Sequence, residues 1–322
     1  MAASVGAGAR PSSDPGPRHL VVVGPTASGK SALALALARS RPGVEVVSAD
    51  SMQVYRGMDI GTAKPTVEER VGVPHHLIDV ASPAERFTVT RFAAAAAAAL
   101  SDIEGRGGVG VVVGGTGLYL QALLGDLTPP GEWPDVRADV AAWPPPDAYA
   151  RLIALDPVAA ARIEPGNHRR IVRALEVTIG SGRPFSSFGP GIDAYPPTAR
   201  FQQVGVWLPR AVVGARIAER VAAMVTAGLV AEVRELAPDL GPTARQALGY
   251  KEILAHVEHG GPLDGCLAEI VRRTREFARR QRAWFRRDPR IRWHGTASDP
   301  LRLLPGLLVE LDRCARLPNR EG

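Results

Sequence analysis

The sequence predicts an α/β fold: a parallel sheet flanked by helices, with an inserted element and a helical C-terminal part. Apolar segments of strand length recur at 21–23, 44–48, 108–113 and 204–208. A run of alanine and leucine, both good helix formers, follows the first segment, so strands and helices are expected to alternate along the chain. With 322 residues the chain can bury a large core in one α/β unit and still carry a smaller appendage.

The first apolar segment leads into Gly-Pro-Thr-Ala-Ser-Gly-Lys-Ser at 24–31. This is the Gly-x-x-x-x-Gly-Lys-Ser pattern of a P-loop in its strand-to-helix context, and it makes the predicted sheet P-loop NTPase-like. Backbone amides of such a loop surround phosphate oxygens, the lysine reaches the distal phosphate and the serine hydroxyl ligates Mg²⁺. The pattern does not distinguish a nucleoside triphosphate from a pyrophosphate ester. The predicted phosphate-binding residues are Gly24, Pro25, Thr26, Ala27, Ser28, Gly29, Lys30 and Ser31, with Ser31 as the metal ligand.

Asp50 follows the second predicted strand, at 44–48. Ligands of open α/β sheets lie outside the carboxyl ends of the strands, so Asp50 is expected to face the same crevice as the P-loop. A carboxylate there can bind Mg²⁺ or act as a base. The residues after it, 52–65, are rich in glycine and polar side chains and are predicted to form a binding loop.

The third predicted strand, 108–113, ends in a glycine turn with Thr116 at its mouth and a helix after it through Leu124. A nucleotide hydrolase would usually carry an aspartate here to hold Mg²⁺. Its absence weakens an ATP-hydrolysing interpretation. Upstream, His75, His76 and Asp79 resemble a metal site, but adjacent histidines on a strand point to opposite faces, so a shared metal is not expected.

Composition defines the ends of the chain and its compartment. Residues 1–18 are predicted to be a loose tail, residues 19–126 and 150–322 the catalytic core with C-terminal RNA-binding helices, and residues 127–149, dense in proline and tryptophan, a connection or an inserted element. Cys266 and Cys314 fit neither a metal site nor a disulfide framework, which favours a reducing, cytoplasmic location. No segment is long and apolar enough for a membrane span. The chain is expected to be a monomer.

The net charge of +6 is concentrated near the C-terminus. Residues 272–292 contain ten arginines against Glu276 and Asp288. Phe277, Trp284 and Phe285 form an apolar stripe between the basic flanks, as expected of a helix that packs on one side and meets a polyanion on the other. The alternative is a solvated helix surface; nucleic acid is the favoured partner.

Smaller basic patterns occur elsewhere. Arg169, Arg170 and Arg173 recur at near-helical spacing, and Arg216 and Arg220, four residues apart, share a helix face that could clamp a phosphate or form ordinary surface salt bridges. The segment 246–251 places a glycine beside an aromatic side chain and a cation, which suits contact with a nucleic acid strand but is weak alone.

Taken together, the motifs at 24–31, 48–65 and 114–119 resemble those of the tRNA dimethylallyltransferase family. The similarity extends through 74–79, 173–176, 249–251 and 279–286 and so covers nearly the whole chain. The motif at 48–65 is highly specific. The resemblance implies transfer of a dimethylallyl group from dimethylallyl diphosphate to N6 of adenosine 37 in tRNAs that read codons beginning with U.

The resemblance also implies residue roles. Asp50 would be the base that accepts the N6 proton, while Thr26, Lys30, Arg216 and Arg220 would act on the departing pyrophosphate together with Mg²⁺. The family correspondence implies a set of residues that would contact the anticodon stem-loop of tRNA, and the arginine-rich helix would add backbone affinity. That set is Asp50, Ser51, Met52, Gln53, Thr116, Arg137, Arg169, Arg170, Ile171, Val172, Arg173, Gln246, Ala247, Leu248, Gly249, Tyr250 and Lys251.

The chain departs from the family pattern in its shortened insert, broken by Trp-Pro-Pro-Pro at 143–146, and in Ala283, where threonine is common in the family. Three other functions are compatible with parts of the sequence: an adenylate isopentenyltransferase acting on free nucleotides, a small-molecule kinase using ATP on the P-loop, and a non-catalytic RNA-binding protein. The basic C-terminal half argues against the first, the missing strand-end acid against the second, and intact Lys30, Ser31 and Asp50 against the third.

Overall fold

A computed structural model describes residues 18–125, 129–188, 195–196 and 198–314. Its centre is one sheet of six parallel strands in the order β3-β2-β4-β1-β5-β6. The strands are β1 (His19–Val23), β2 (Val44–Ser48), β3 (His75–His76), β4 (Val109–Gly114), β5 (Phe201–Trp207) and β6 (Arg292–Gly295).

Helices cover both faces of the sheet. Thirteen α-helices occur in the described ranges: α1 (Lys30–Ser40), α2 (Val67–Arg70), α3 (Val89–Gly105), α4 (Gly117–Leu123), α5 (Pro134–Ala141), α6 (Pro145–Leu155), α7 (Pro157–Arg162), α8 (His168–Ser181), α9 (Arg210–Thr226), α10 (Leu229–Leu236), α11 (Tyr250–His259), α12 (Leu263–Phe285) and α13 (Leu304–Cys314).

Alternate residues of the central strands point into two separate cores. Val21 and Val23 of β1 pack with α3, α4 and the helices from α10 to α12, whereas Leu20 and Val22 pack with α1, α9 and α13. Every residue of β1, β2 and β4 is buried. This is why these strands read as continuous apolar runs rather than as alternating patterns.

The helices α5 to α8 form a side unit with a core of its own. Val140, Leu152, Ala160, Ile171 and Leu175 are among its buried residues. This unit is larger than the insert predicted at 127–149, because that boundary lies inside α6 and the same core continues into α8. Residues 126–128 lie outside the described residues.

Most predicted elements are present. The strand at 44–48 has the predicted bounds, and the helix after the glycine turn is α4. The alanine tract at 93–99 lies within α3. Asp156 caps α7 by accepting a hydrogen bond from Ala159 N, with Pro157 at the first helical position. The late strand begins three residues earlier than predicted, at Phe201.

The first described residue, Arg18, is joined to the sheet by a backbone hydrogen bond. Of the tail predicted at 1–18, residues 1–17 lie outside the described residues, and Arg18 N donates to Arg200 O at the start of the sheet. None of the described helices combines the length and apolarity that a membrane crossing requires.

Candidate active site

The candidate site lies at the carboxyl ends of β1, β2 and β4, which are neighbours in the sheet. β1 continues into the P-loop, β2 into the segment that carries Asp50, and β4 into the glycine turn at 114–117. Val23 pairs with Gly114, and Ala49 N donates to Val113 O at 2.8 Å, so the three connections leave the sheet side by side. Parallel strand order therefore brings together residues that the sequence separates widely.

The P-loop has the backbone that its glycines require. Gly29 has a φ of +83° at the N-terminus of α1, a left-handed conformation that disfavours other residues. A Cβ at Gly29 would also overlap the ring of Pro300, which belongs to a short 3₁₀ turn just before α13. The hydroxyl of Ser28 is buried and has no hydrogen-bond partner among the described residues. Such an orphaned polar atom inside the loop is consistent with a bound group supplying the partner.

Lys30 lies close to one negatively and one positively charged side chain. Its Nζ donates to Pro25 O at 3.3 Å. Desolvation by the surrounding protein lowers the pKa of Lys30 to about 8; the Asp50 carboxylate opposes this shift and the Arg220 guanidinium adds to it. Lys30, Asp50 and Arg220 thus interact electrostatically within one small region. An anion bound there would be favoured most when Lys30 is protonated.

Arg216 and Arg220 both reach from α9 to the P-loop, which confirms that they share a helix face. Arg216 Nε donates to Ala27 O at 3.0 Å. Arg220 lies 3.5 Å from Thr26 Oγ1 and 3.4 Å from Thr62 O. The alternative prediction of surface salt bridges is wrong for this pair, since both guanidinium groups contact the loop.

Asp50 is held by its own loop. Its Oδ1 accepts hydrogen bonds from Met52 N at 2.9 Å and Gln53 N at 3.4 Å. The next residue, Ser51, donates its backbone N–H to Thr116 Oγ1 at 3.3 Å, which ties the Asp50 segment to the glycine turn. The carboxylate is therefore fixed in direction and only half-buried.

At the strand end where nucleotide hydrolases carry an acidic residue, this chain has a glycine turn. Its lack of side chains allows neighbouring groups to pack closely against the backbone. A Cβ would overlap Ala49 O at Gly114, Gln281 Nε2 at Gly115 and the indole of Trp284 at Gly117. Gln281 accepts from Thr26 N at 2.8 Å and donates to Gly115 O at 2.9 Å. Sequence reasoning did not identify Gln281 as a site residue; its only signal was its position inside the motif at 279–286.

Hydrogen bonds from polar side chains hold the loop 57–65 in place. Glu232 accepts from the backbone N–H groups of Asp59, Ile60 and Gly61, and also from the Tyr250 hydroxyl at 2.5 Å. Lys64 is buried, donates to Tyr55 O and pairs with Asp59 and Asp79. Gln53 Nε2 then donates to the carbonyls of residues 62 and 63, so this support extends to the segment that carries Asp50.

Comparison with known proteins agrees with this arrangement. The family model described as IPP transferase matches residues 53–288, which is more than half of the chain, and the model described as isopentenyl transferase matches residues 18–81. The chain belongs to the IPP transferase family. A tRNA dimethylallyltransferase of Kineococcus radiotolerans is 50% identical over 299 residues, which is 88% of this chain and 93% of that protein.

Solved structures of the IPP transferase family have the same fold. The full-length tRNA isopentenylpyrophosphate transferase of Bacillus halodurans matches with a TM-score of 0.67 and 35% identity, over 92% of this chain and 97% of that one. A eukaryotic dimethylallyltransferase acting on tRNA matches with a TM-score of 0.77 and 26% identity, over 95% of this chain and 81% of that one.

The arginine-rich helix of this IPP transferase, α12, uses much of its charge internally. Arg272 and Arg273 pair with Glu269, whose pKa their hydrogen bonds lower to about 2. Arg282 is buried: its guanidinium stacks 3.7 Å from the centre of the Trp207 ring and donates to Leu208 O. Part of the charge of this cluster is therefore engaged within the chain, and contact of the helix with a nucleic acid stays a prediction. Arg279, Arg280, Arg286 and Arg287 have exposed side chains.

The segment 246–251 is also less accessible than predicted. Tyr250 is fully buried, as is most of Ala247, and the Tyr250 ring lies against Gly61. Neither side chain reaches the surface, so a contact of these two residues with RNA stays a prediction that their side-chain exposure does not support. Gln246 and Lys251 are exposed, Leu248 is half-buried and Gly249 is buried.

On the side unit the predicted RNA residues divide in the same way. Ile171 and Val172 face its core and are buried, so their side chains do not support the predicted RNA contact. Arg137 and Arg173 pair with the buried Glu176, at 3.3 Å and 2.8 Å. Arg169 and Arg170 remain exposed at the start of α8. In both ion pairs the partner is the carboxylate of Glu176, and the sequence pattern did not predict that this carboxylate is buried.

The capacity of the site to hold a metal depends on its donor atoms. Within the described ranges no cluster of three or more histidine, cysteine, aspartate or glutamate side chains exists. His76 Nε2 contacts Glu45 at 2.6 Å, while His75 Nδ1 contacts Val73 O at 2.8 Å, so the two rings have separate partners. A Mg²⁺ ion that takes most of its ligands from phosphate and water needs few protein ligands, and the exposed Ser31 hydroxyl fits that requirement.

A cavity of about 830 Å³ lies between α9 and α12. Its wall is apolar along Val213, Ile217, Val271 and Ala278, arginines surround it, and it reaches the P-loop only at Pro25. Lys30, Asp50 and Arg220 do not line it, so the chemistry described above lies beside this cavity rather than in it.

Proposed function

We propose that this chain is a tRNA dimethylallyltransferase, which transfers a dimethylallyl group from dimethylallyl diphosphate to N6 of adenosine 37 in tRNAs reading codons that begin with U. The observation that carries the proposal is the shared crevice: a P-loop clamped by two arginines lies beside a carboxylate fixed in direction. The names of the relatives support the same activity.

The P-loop side of the crevice fits a diphosphate leaving group. Backbone amides at the N-terminus of α1, the Ser28 hydroxyl, Lys30 and the guanidinium groups of Arg216 and Arg220 supply donors and positive charge. Charge develops on the pyrophosphate as the C–O bond breaks, and groups already oriented toward it stabilise that charge without reorganising. We therefore assign Gly24 to Ser31 to the diphosphate.

The Asp50 side fits the amine. The exocyclic amine of adenine is a poor nucleophile because its lone pair is delocalised into the ring, so a positioned base is needed. Both hydrogen bonds that the structure describes at this carboxylate go to Oδ1, which leaves Oδ2 to accept the proton. The bond from N6 to the allylic carbon forms, the bond from that carbon to the diphosphate oxygen breaks, and the N6 proton passes to Asp50.

Mg²⁺ is the proposed cofactor, with Ser31 as its protein ligand. When bound, it would neutralise charge on the diphosphate oxygens. Lys30, Arg216 and Arg220 would share that task.

The adenine must leave the anticodon-loop stack to reach Asp50, at a cost of roughly a few kcal/mol. Partly exposed residues around the crevice can hold it and its backbone; they include Ser51, Met52, Gln53 and Thr116. Arg169, Arg170, Arg279 and Arg280 are exposed cations suited to phosphates of the stem. We expect the enzyme to act as a monomer in the cytoplasm.

The decisive experiment is incubation of purified protein with dimethylallyl diphosphate, Mg²⁺ and unmodified tRNA, followed by nucleoside analysis. N6-dimethylallyladenosine at position 37 is the expected product. Faster turnover on AMP than on an anticodon stem-loop would instead identify an adenylate isopentenyltransferase. Phosphorylation of a small substrate by ATP would identify a kinase. RNA binding without any product would identify a non-catalytic protein.

A further inference from the structure

The amide of Gln281 joins the two halves of the crevice. Its Oε1 accepts from Thr26 N in the P-loop, and its Nε2 donates to Gly115 O in the glycine turn. The side chain is 7% exposed. The partners fix the orientation of the amide, because a backbone N–H can only donate and a carbonyl can only accept. A carboxylate, an ammonium or a hydrocarbon of the same length could not satisfy both.

Each end of this bridge is next to a group that the reaction uses. Thr26 Oγ1 lies 3.5 Å from Arg220, and the following residue accepts from Arg216 through Ala27 O. On the other side, Thr116 accepts from Ser51 N, one residue from Asp50. One path from Arg216 and Arg220 to Asp50 therefore passes through the buried side chain of Gln281.

The backbone at the turn is shaped for this contact. A Cβ at Gly115 would overlap Gln281 Nε2, so the absence of a side chain there allows α12 to approach the sheet. The last paired residues of the β1–β4 ladder are Val23 and Gly114. Gln281 continues the connection between the two chain segments just beyond the point where strand pairing stops.

We propose that Gln281 is a positioning residue for the transfer reaction, which sets the separation between the diphosphate loop and the Asp50 loop. This inference rests on the proposed function. Gln281 touches neither substrate in this assignment; it acts through Thr26 and Gly115. Since the attacking amine and the allylic carbon must approach within bonding distance, a displacement of about 1 Å in either loop can lower the rate about 100-fold.

The test replaces Gln281 by Met, which keeps the length and removes both hydrogen bonds, and by Asn, which keeps the amide and shortens the stem. With tRNA and dimethylallyl diphosphate both saturating, we expect kcat to fall about 30-fold or more for Gln281→Met and about 10-fold for Gln281→Asn. KM for dimethylallyl diphosphate should change less than about threefold, because the other donors of the loop remain.

The matched control is Gln203→Met. Gln203 is a buried amide on β5 whose Nε2 has no partner, and it lies outside the crevice. All variants are assayed at a temperature where circular dichroism shows them folded. Gln203→Met should keep the wild-type kcat whatever its melting temperature.

The outcomes separate the positioning role from the activity itself. A wild-type kcat in both folded Gln281 variants would show that the residue only stabilises the fold and would overturn this inference. A large rise in KM with unchanged kcat would overturn it too, because Gln281 would then act in binding. A wild-type chain that forms no prenylated adenosine would overturn the proposed function and, with it, the positioning role of Gln281.

Discussion

The crevice and the arginine-rich helix α12 show two kinds of sequence signal with different outcomes. In the crevice, a short pattern with fixed spacing predicted both the residues and their juxtaposition. Ten arginines between 272 and 292, six of them in α12 and four just after it, predicted a surface for a polyanion, but several of them have internal partners. Spacing within a loop determines backbone geometry directly, whereas a count of charges says nothing about which acids or carbonyls face them.

The largest expected effect is in the crevice. Asp50→Ala should lower kcat by about 10³-fold, within the 10²–10⁴ range of general-base catalysis, and should change tRNA affinity less than about twofold. Single-turnover rates and filter binding measure the two quantities. Asp50→Asn, which keeps an oxygen for Met52 N, should lose as much activity. A loss of tRNA affinity as large as the loss of kcat would assign Asp50 to tRNA recognition. The crevice and α12 would then differ less in function.

The next effect separates arginines within α12. Arg282→Met should lower the free energy of unfolding by about 2 kcal/mol, because it removes a hydrogen bond from a charged group and the stacking on Trp207. Urea denaturation measures the change. Arg280→Met, on the exposed side of the same helix, should change it by less than about 0.5 kcal/mol. Equal effects would mean that the exposure of an arginine side chain does not determine how much it contributes to the free energy of unfolding.

A pH experiment compares Lys30 with the α12 arginines, which stay charged at every accessible pH. Burial lowers the pKa of Lys30 to about 8, and a bound diphosphate favours the protonated form. Affinity for dimethylallyl diphosphate should therefore be highest below pH 8 and should weaken as the pH rises above 8, up to about tenfold per unit. Calorimetry without tRNA measures it.

The matched variant for this experiment is Lys30→Arg, which cannot lose its proton in this range. Its affinity should be nearly flat between about pH 7.5 and 9.5. A wild-type affinity that is flat over the same range would contradict the assignment of Lys30 to the diphosphate.

The smallest effect is on the salt dependence of tRNA binding. Replacing Arg279 and Arg280 by glutamine should reduce the slope of log K against log salt by about 1.5, as expected for two lost phosphate contacts. Replacing Arg272 and Arg273 changes the net charge equally but removes cations that already pair with Glu269. Their loss should change the slope by less than about 0.5. Equal slopes would mean that pairing with Glu269 does not change how strongly these arginines of α12 bind phosphate.

Much of the fold could be predicted because its central strands are buried on both faces and its P-loop has fixed spacing. What could not be predicted depends on partners remote in sequence. Gln281 and Thr26 are 255 positions apart, and Arg282 and Leu208 are 74 apart. Tyr250 looks like a stacking residue until Glu232, 18 positions away, is found to accept a hydrogen bond from its hydroxyl. The same limit applies to Arg173, whose partner Glu176 is near in sequence but hidden in the core of the side unit.

The contact between Gly29 and Pro300 has a consequence for synthesis. Gly29 is synthesised long before Pro300, whose ring occupies the space beside it. A nascent chain must therefore keep an incomplete P-loop until the segment that carries Pro300 has been made, and a protein truncated before Pro300 should bind diphosphate more weakly even with residues 24–31 intact.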